Sequence, residues 1–153
     1  MRPVERIPNF INKVNWGYLE ERWDVKIPNS IRYKLNEGGS IRKYWMKCPD
    51  LRFGQMLIKL CILPDTLQIW QDEEYDILKG QGLAEREIMF WGRTTDENRK
   101  PLPQIQWILI KDMSTDHIKA ILADVADNRM NPRSDYIRVF KWELELRESN
   151  QNG

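Results

Sequence analysis

The sequence predicts an α+β fold: several short helices packed on a small antiparallel hairpin. Three observations predict it. Apolar residues recur at helical spacing in several separate runs, and Pro and Gly punctuate the first half so that none of those runs is long. Two segments rich in Ile, Trp and Phe also stand on either side of a polar loop, as paired strands do. A chain of 153 residues is one domain by size, expected over residues 1–148, with a polar tail over 149–153 that should fray.

Pro3, Pro8 and Pro28 leave room for one short helix around Asn15 to Trp23, where Trp16, Leu19 and Trp23 share a face. Asn29-Ser30 can cap a second, ended by Gly38-Gly39. Asp50 stands as cap before Leu51–Leu60, in which Phe53, Met56, Leu57 and Leu60 form a stripe, and Pro64-Asp65 breaks that helix. Leu67 to Trp70 reads as a short strand. Asp72-Glu73-Glu74 then opens a helix through Leu78, with acids where the helix dipole favours them, and Gly80 and Gly82 stop it.

The strand pair is expected at Glu87–Arg93 and Gln104–Lys111, joined by the loop Thr94–Pro103. Both strands are apolar on both faces, so both faces need cover, from helices or from a second subunit. Ser114 is placed as N-cap of a helix beginning at Thr115, whose Ile118, Ile121, Leu122 and Val125 form the buried stripe. The segment Tyr136–Arg147 alternates like a strand in Phe140–Arg147. It also fits a helix with two apolar strips and Glu143 and Arg147 at i, i+4.

Charge and cysteines narrow the function classes, and a nucleic-acid binder using the basic Lys26–Lys59 block is the less favoured third reading. A net charge of +1 supplies no global field toward nucleic acid or a membrane. The distribution is uneven: Lys26–Lys59 is basic and Asp65–Glu87 acidic, either as two solvated faces or as a basic groove for a phosphorylated ligand or acidic partner. Cys48 and Cys61 form no paired motif and suit a reducing cytoplasm. No apolar run is long enough for a membrane helix, so a cytoplasmic protein is expected.

The single histidine, His117, falls in the first turn of the Ser114-capped helix, where the dipole disfavours its protonation. Asp124 and Asn128 return to the same helix edge. A catalytic metal would need more ligands at suitable spacing, and a nucleophile would need a recognisable turn; the sequence carries neither, nor any nucleotide-binding glycine loop. No cofactor and no metal are therefore expected, and His117 reads as a structural or ligand-contacting residue. Arg129 and Arg133 lie in the polar turn Asp127–Ser134, where a guanidinium can fork onto phosphate or stay solvated.

Two passages carry a resemblance. Pro49-Asp-Leu-Arg-Phe-Gly-Gln-Met-Leu-Ile followed by Trp70-Gln-Asp-Glu-Glu resembles a pattern in short helical phage proteins. Trp107–Ile110, Asp112-Met-Ser-Thr-Asp-His-Ile and the ending Tyr136 … Glu143-Leu … Arg147 resemble a phage and prophage pattern in which a tryptophan-bearing hairpin leads into a capped helix and a final helix. That resemblance decides the last segment in favour of a helix. Similar small phage proteins include the Thoeris anti-defence sponges, which sequester cyclic ADP-ribose-type signals without cleaving them; no ligand residue of that family is carried over.

The resemblance implies a phage-derived, non-enzymatic binding protein that counters host defence in the host cytoplasm by sequestering a nucleotide messenger. Such a ligand asks for aromatic faces, arginines and a helix N-terminus. Trp91, Arg93, Trp107, Ser114, His117, Arg129 and Arg133 are the candidates, being grouped around the hairpin and adjoining turns. The alternative is a protein–protein inhibitor or assembly module acting on a host protein, suggested by the abundance of Trp and Arg. The doubly apolar hairpin and final helix also point to a homo-oligomer.

Overall fold

The computed structural model describes residues 2–152. The chain is α+β, with a single antiparallel hairpin among its described residues and a helical C-terminus. Its contacts group into two compact units, Met1–Leu83 and Ala84–Gly153. Each has its own core.

The first unit is built of short helices: α1 (Arg6–Lys13), α2 (Trp16–Trp23), α3 (Asn29–Lys34), α4 (Ser40–Lys47), α5 (Phe53–Lys59), α6 (Leu67–Gln71) and α7 (Glu74–Gly80). Aromatic residues of α1, α2 and α4 meet on Phe53 of α5, which is fully buried. Its ring lies 4.9 Å from Phe10, 5.3 Å from Trp45, 6.0 Å from Trp16 and 6.1 Å from Trp23, centroid to centroid. Such aromatic pairs add about 0.5–1.5 kcal/mol each beyond the area they bury. Two of the indole N–H groups are satisfied inside: Trp45 Nε1 donates to the Leu51 carbonyl and Trp23 Nε1 to Asp72 at 2.7 Å. Arg22 forks onto the same Asp72 at 2.8 and 2.9 Å. Those three donors hold the Asp72 carboxyl below the usual range against the opposing effect of its burial.

Several local expectations need correction here. Pro8 does not exclude a helix, because it occupies the first turn of α1, where a backbone N–H has no intrahelical partner. Residues 40–47, not singled out in the sequence, form α4 on the strength of buried Ile41 and Trp45. The strand expected at Leu67–Trp70 is instead α6, because Thr66 caps it by accepting from the Ile69 N–H. Asp50 does not cap α5. It accepts from the Arg2 N–H, and the cap position belongs to Arg52, whose own N–H donates to Gln55 Oε1. Gly54 of α5 permits a contact no other residue would, since a Cβ there would run into the Ile69 carbonyl.

In the second unit, a 3₁₀ turn at Glu85–Glu87 leads into β1 (Phe90–Thr95), which pairs antiparallel with β2 (Pro101–Leu109). β1 begins three residues later than the Glu87 expected, because the 3₁₀ turn takes the preceding residues. β2 begins three residues earlier than expected, at Pro101, and Ile110–Asp112 is a second 3₁₀ turn. The connecting turn is correspondingly tight. Asp96 Oδ1 accepts from the N–H groups of Asn98 and Lys100, and Arg99 takes a left-handed conformation at φ 62°.

The helix α8 (Thr115–Ala126) begins as its cap predicts, with Ser114 Oγ accepting from the His117 N–H at 3.1 Å. The final segment is α9 (Ser134–Asn152), a helix as expected; it continues through the polar residues 149–152, while Gly153 lies outside the described residues. α9 packs on the hairpin through Tyr136 and Phe140, whose rings lie 5.4 and 5.3 Å from Trp91, and the Tyr136 hydroxyl donates to the Phe90 carbonyl at 2.6 Å. Beneath it Glu143 is 2% exposed and held by two arginines: Arg86 at 2.6 and 2.9 Å, and Arg147 at 2.8 Å. Cover on the hairpin is incomplete, for Ile105 on β2 stays 43% exposed.

Candidate functional site

A cavity of about 600 Å³ opens between β1, the Asp96–Lys100 turn and the N-terminal half of α8. Four of the residues expected at a site line it: Trp91, Arg93, Ser114 and His117. Period-2 alternation along β1 puts Trp91 and Arg93 on one face, and the Ser114 cap sets where α8 begins.

Three do not. Trp107 pairs with Gly92, so it belongs to the opposite face of the hairpin from Trp91. Its ring lies over Gly92, where an added Cβ would stand 2.9 Å from it. Arg129 is exposed beyond the end of α8, after the left-handed Asn128 (φ 60°) that turns the chain away from the helix axis. Arg133 lies over the Tyr136 ring at 5.1 Å and pairs with Asp135 at 3.3 Å.

The cavity also recruits residues that spacing did not single out. Arg99, Asp96 and Glu97 come from the turn, and Asp116 and Met130 from α8 and the loop after it. Asp124 does share the His117 edge as its helical spacing predicts; Asn128 is not among the lining residues. The turn residues carried no signal, because a polar loop becomes a wall only once the hairpin folds toward α8.

The electrostatics are mixed. Two guanidiniums, Arg93 and Arg99, face four carboxylates: Asp96, Glu97, Asp116 and Asp124. Neither arginine makes an ion pair among the described residues; Arg93 Nε instead donates to the Thr95 carbonyl at 2.8 Å. His117 is held below its ordinary pKa, first by burial and then by the positive charge of Arg93, so its neutral imidazole is favoured. No hydrogen bond to that imidazole occurs among the described residues.

Chemically, the site offers one aromatic wall, two unpaired guanidiniums, several carboxylate acceptors and a neutral imidazole. Among the described residues, no group of three or more His, Cys, Asp or Glu side chains is placed to hold a metal ion. Nor is any described helix long and apolar enough to cross a membrane. No family model, no curated protein and no solved structure matches the chain.

Proposed function

We propose that the chain is a non-enzymatic binding protein of phage type. In this reading it acts in the host cytoplasm and counters defence by sequestering a nucleotide messenger in the cavity beside α8. The observation that carries the reading is the convergence of Trp91, Arg93, Ser114 and His117 on one cavity of about 600 Å³, within the usual range for small-ligand sites. A nucleotide matches the mixed lining. Its phosphates suit the unpaired Arg93 and Arg99 and the positive end of α8, and its hydroxyls and amino groups suit Asp96 and Asp124. Trp91 supplies an aromatic wall for a base. His117 lacks a hydrogen-bonded partner to orient it as a general base, which supports capture without turnover.

The test is depletion. Mixed with a panel of cyclic nucleotide signals, the protein should remove one of them from solution and release it chemically unchanged on heating. Arg93→Ala with Arg99→Ala should abolish the removal. An undepleted panel would sink the proposal, and turnover lost on His117→Ala would replace it with an enzyme.

A second reading has its own observation. Trp142 and Leu146 stand one turn apart on α9, 58% and 41% exposed, and exposed tryptophan is a favoured anchor in protein interfaces. This supports an inhibitor or assembly module that uses α9 against a host protein or a second copy. It predicts a stoichiometric partner in pull-downs, or a dimer mass by light scattering, either of them lost on Trp142→Ala.

A further inference from the structure

The first unit carries a surface that the cavity reading leaves unused. Five of its six arginines are tied up in ion pairs: Arg2 and Arg52 with Glu73, Arg6 with Glu74, Arg22 with Asp72, and Arg32 with Glu20. Arg42 on α4 is the exception. It makes no ion pair among the described residues, and neither do Lys43 and Lys47 beside it. In a unit that otherwise neutralises its guanidiniums internally, an unneutralised face is a distinct feature.

Helical geometry explains the grouping. Ile41 and Trp45 are buried and fix which side of α4 faces the core. Residues 42, 43, 46 and 47 then fall on the opposite arc, within roughly 140° of one another. Met46 sits between the cations, 41% exposed, and with Gly38 the four side chains line a shallow groove of about 360 Å³. α3 packs against α4, and Gly39 abuts the Lys34 carbonyl, which brings exposed Lys34 near the start of α4, beside half-buried Arg42 and exposed Lys43 and Lys47. Tyr33, next to Lys34, is 76% exposed.

We propose that this face of α4 binds single-stranded nucleic acid. Arg42, Lys43, Lys47 and Lys34 contact successive phosphates, and Met46 and Tyr33 offer apolar surface to unstacked bases. A single strand presents repeated anionic charge and bare base faces together; the groove supplies Arg42, Lys43, Lys47 and Met46, and Lys34 and Tyr33 extend it from α3. An acidic polypeptide would use the charge but leave the exposed Met46 and Tyr33 without a role, and a duplex keeps its base faces stacked inside.

The experiment is fluorescence anisotropy of a labelled oligothymidylate against the full chain over a salt series. Affinity should fall with salt, with a log–log slope of about −2 to −3 for three to four phosphates at ~0.7 each. Arg42→Gln with Lys43→Gln and Lys47→Gln should weaken binding at least tenfold and flatten the slope by about 2. The salt series on the unaltered chain tests the idea without any variant. No binding at low salt, or binding indifferent to salt, overturns the proposal. Equal competition by polyglutamate reassigns the face to an acidic protein, and equal affinity for duplex removes the single-strand assignment.

Discussion

Replacing Glu143 with Gln tests whether the second unit is held by its buried charge cluster. The carboxylate is 2% exposed and accepts from Arg86 at 2.6 and 2.9 Å and from Arg147 at 2.8 Å. A neutral amide turns one of those acceptors into a donor facing donors and leaves two guanidiniums without their counter-charge. Breaking a fully buried pair costs about 3–5 kcal/mol. Here the arginine side chains remain 33% and 20% exposed, so solvent takes up part of their charge. Arg147 also keeps its bonds to Thr115 Oγ1 and to the Ile110 and Lys111 carbonyls. After that screening, a loss of about 2–3 kcal/mol is expected.

The assay is denaturant-dependent hydrogen exchange at α8 and α9 amides, which reports the second unit by itself. The variant also has a pH signature. Hydrogen bonds from Arg86, ahead of those from Arg147, hold the folded Glu143 carboxyl below its ordinary value of 4.5. The unfolded chain therefore binds this proton more readily, so the stabilisation is present above about pH 4.5 and disappears as pH falls through the folded pKa. Glu143→Gln should lack that part of the acid limb. A loss below about 0.5 kcal/mol, the scale of an ordinary surface change, together with an unchanged acid limb, would refute the reasoning.

Three further outcomes are expected. Arg93→Ala should raise the His117 pKa toward its ordinary 6.5 without reaching it, because burial is the larger cause; an NMR titration of the single histidine reads this directly. Ser114→Ala removes the acceptor for the His117 N–H and should cost about 1 kcal/mol, with faster exchange confined to the first turn of α8. Gly54→Ala drives a methyl into the Ile69 carbonyl and should destabilise the first unit by about 1–3 kcal/mol; thermal melts that match the unaltered chain would show that α5 and α6 separate at little cost.

Legibility in the sequence followed the range of the interactions. Ser114 announces a helix start because its side chain bonds the N–H group three residues on, within the same turn, as Asn15 does for α2. The final segment required the phage-type resemblance, since Phe140–Arg147 alternates as a strand would, and only burial of Phe140 and Glu143 on one side fixes the helix. Leu67–Trp70 reads as a strand because four residues are too few to separate the two periods, and the bond that decides for α6, from Thr66, sits outside the run. At the site, alternation places Trp91 and Arg93 together, whereas strand pairing sends Trp107 to the other face. Arg99 entered through a left-handed turn whose position depends on how the hairpin meets α8, which no local pattern records.

The brevity of α1 through α7, five to eight residues each, has a consequence for how the first unit comes into being. Helices under about 12–15 residues scarcely persist alone in water, so no piece of residues 1–83 can wait, preformed, for the others. α1, α2, α4 and α5 are held by Phe53 and the rings around it, and those rings assemble only when these helices are in place together. The unit should therefore appear and vanish in a single step, with its protected amide protons reporting one common opening free energy. A break anywhere between Arg6 and Gly80 should yield coil instead of a smaller fold. The 19-residue α9 is under no such constraint. It is long enough to flicker into helix before anything packs on it, and so to serve as the template on which the hairpin closes.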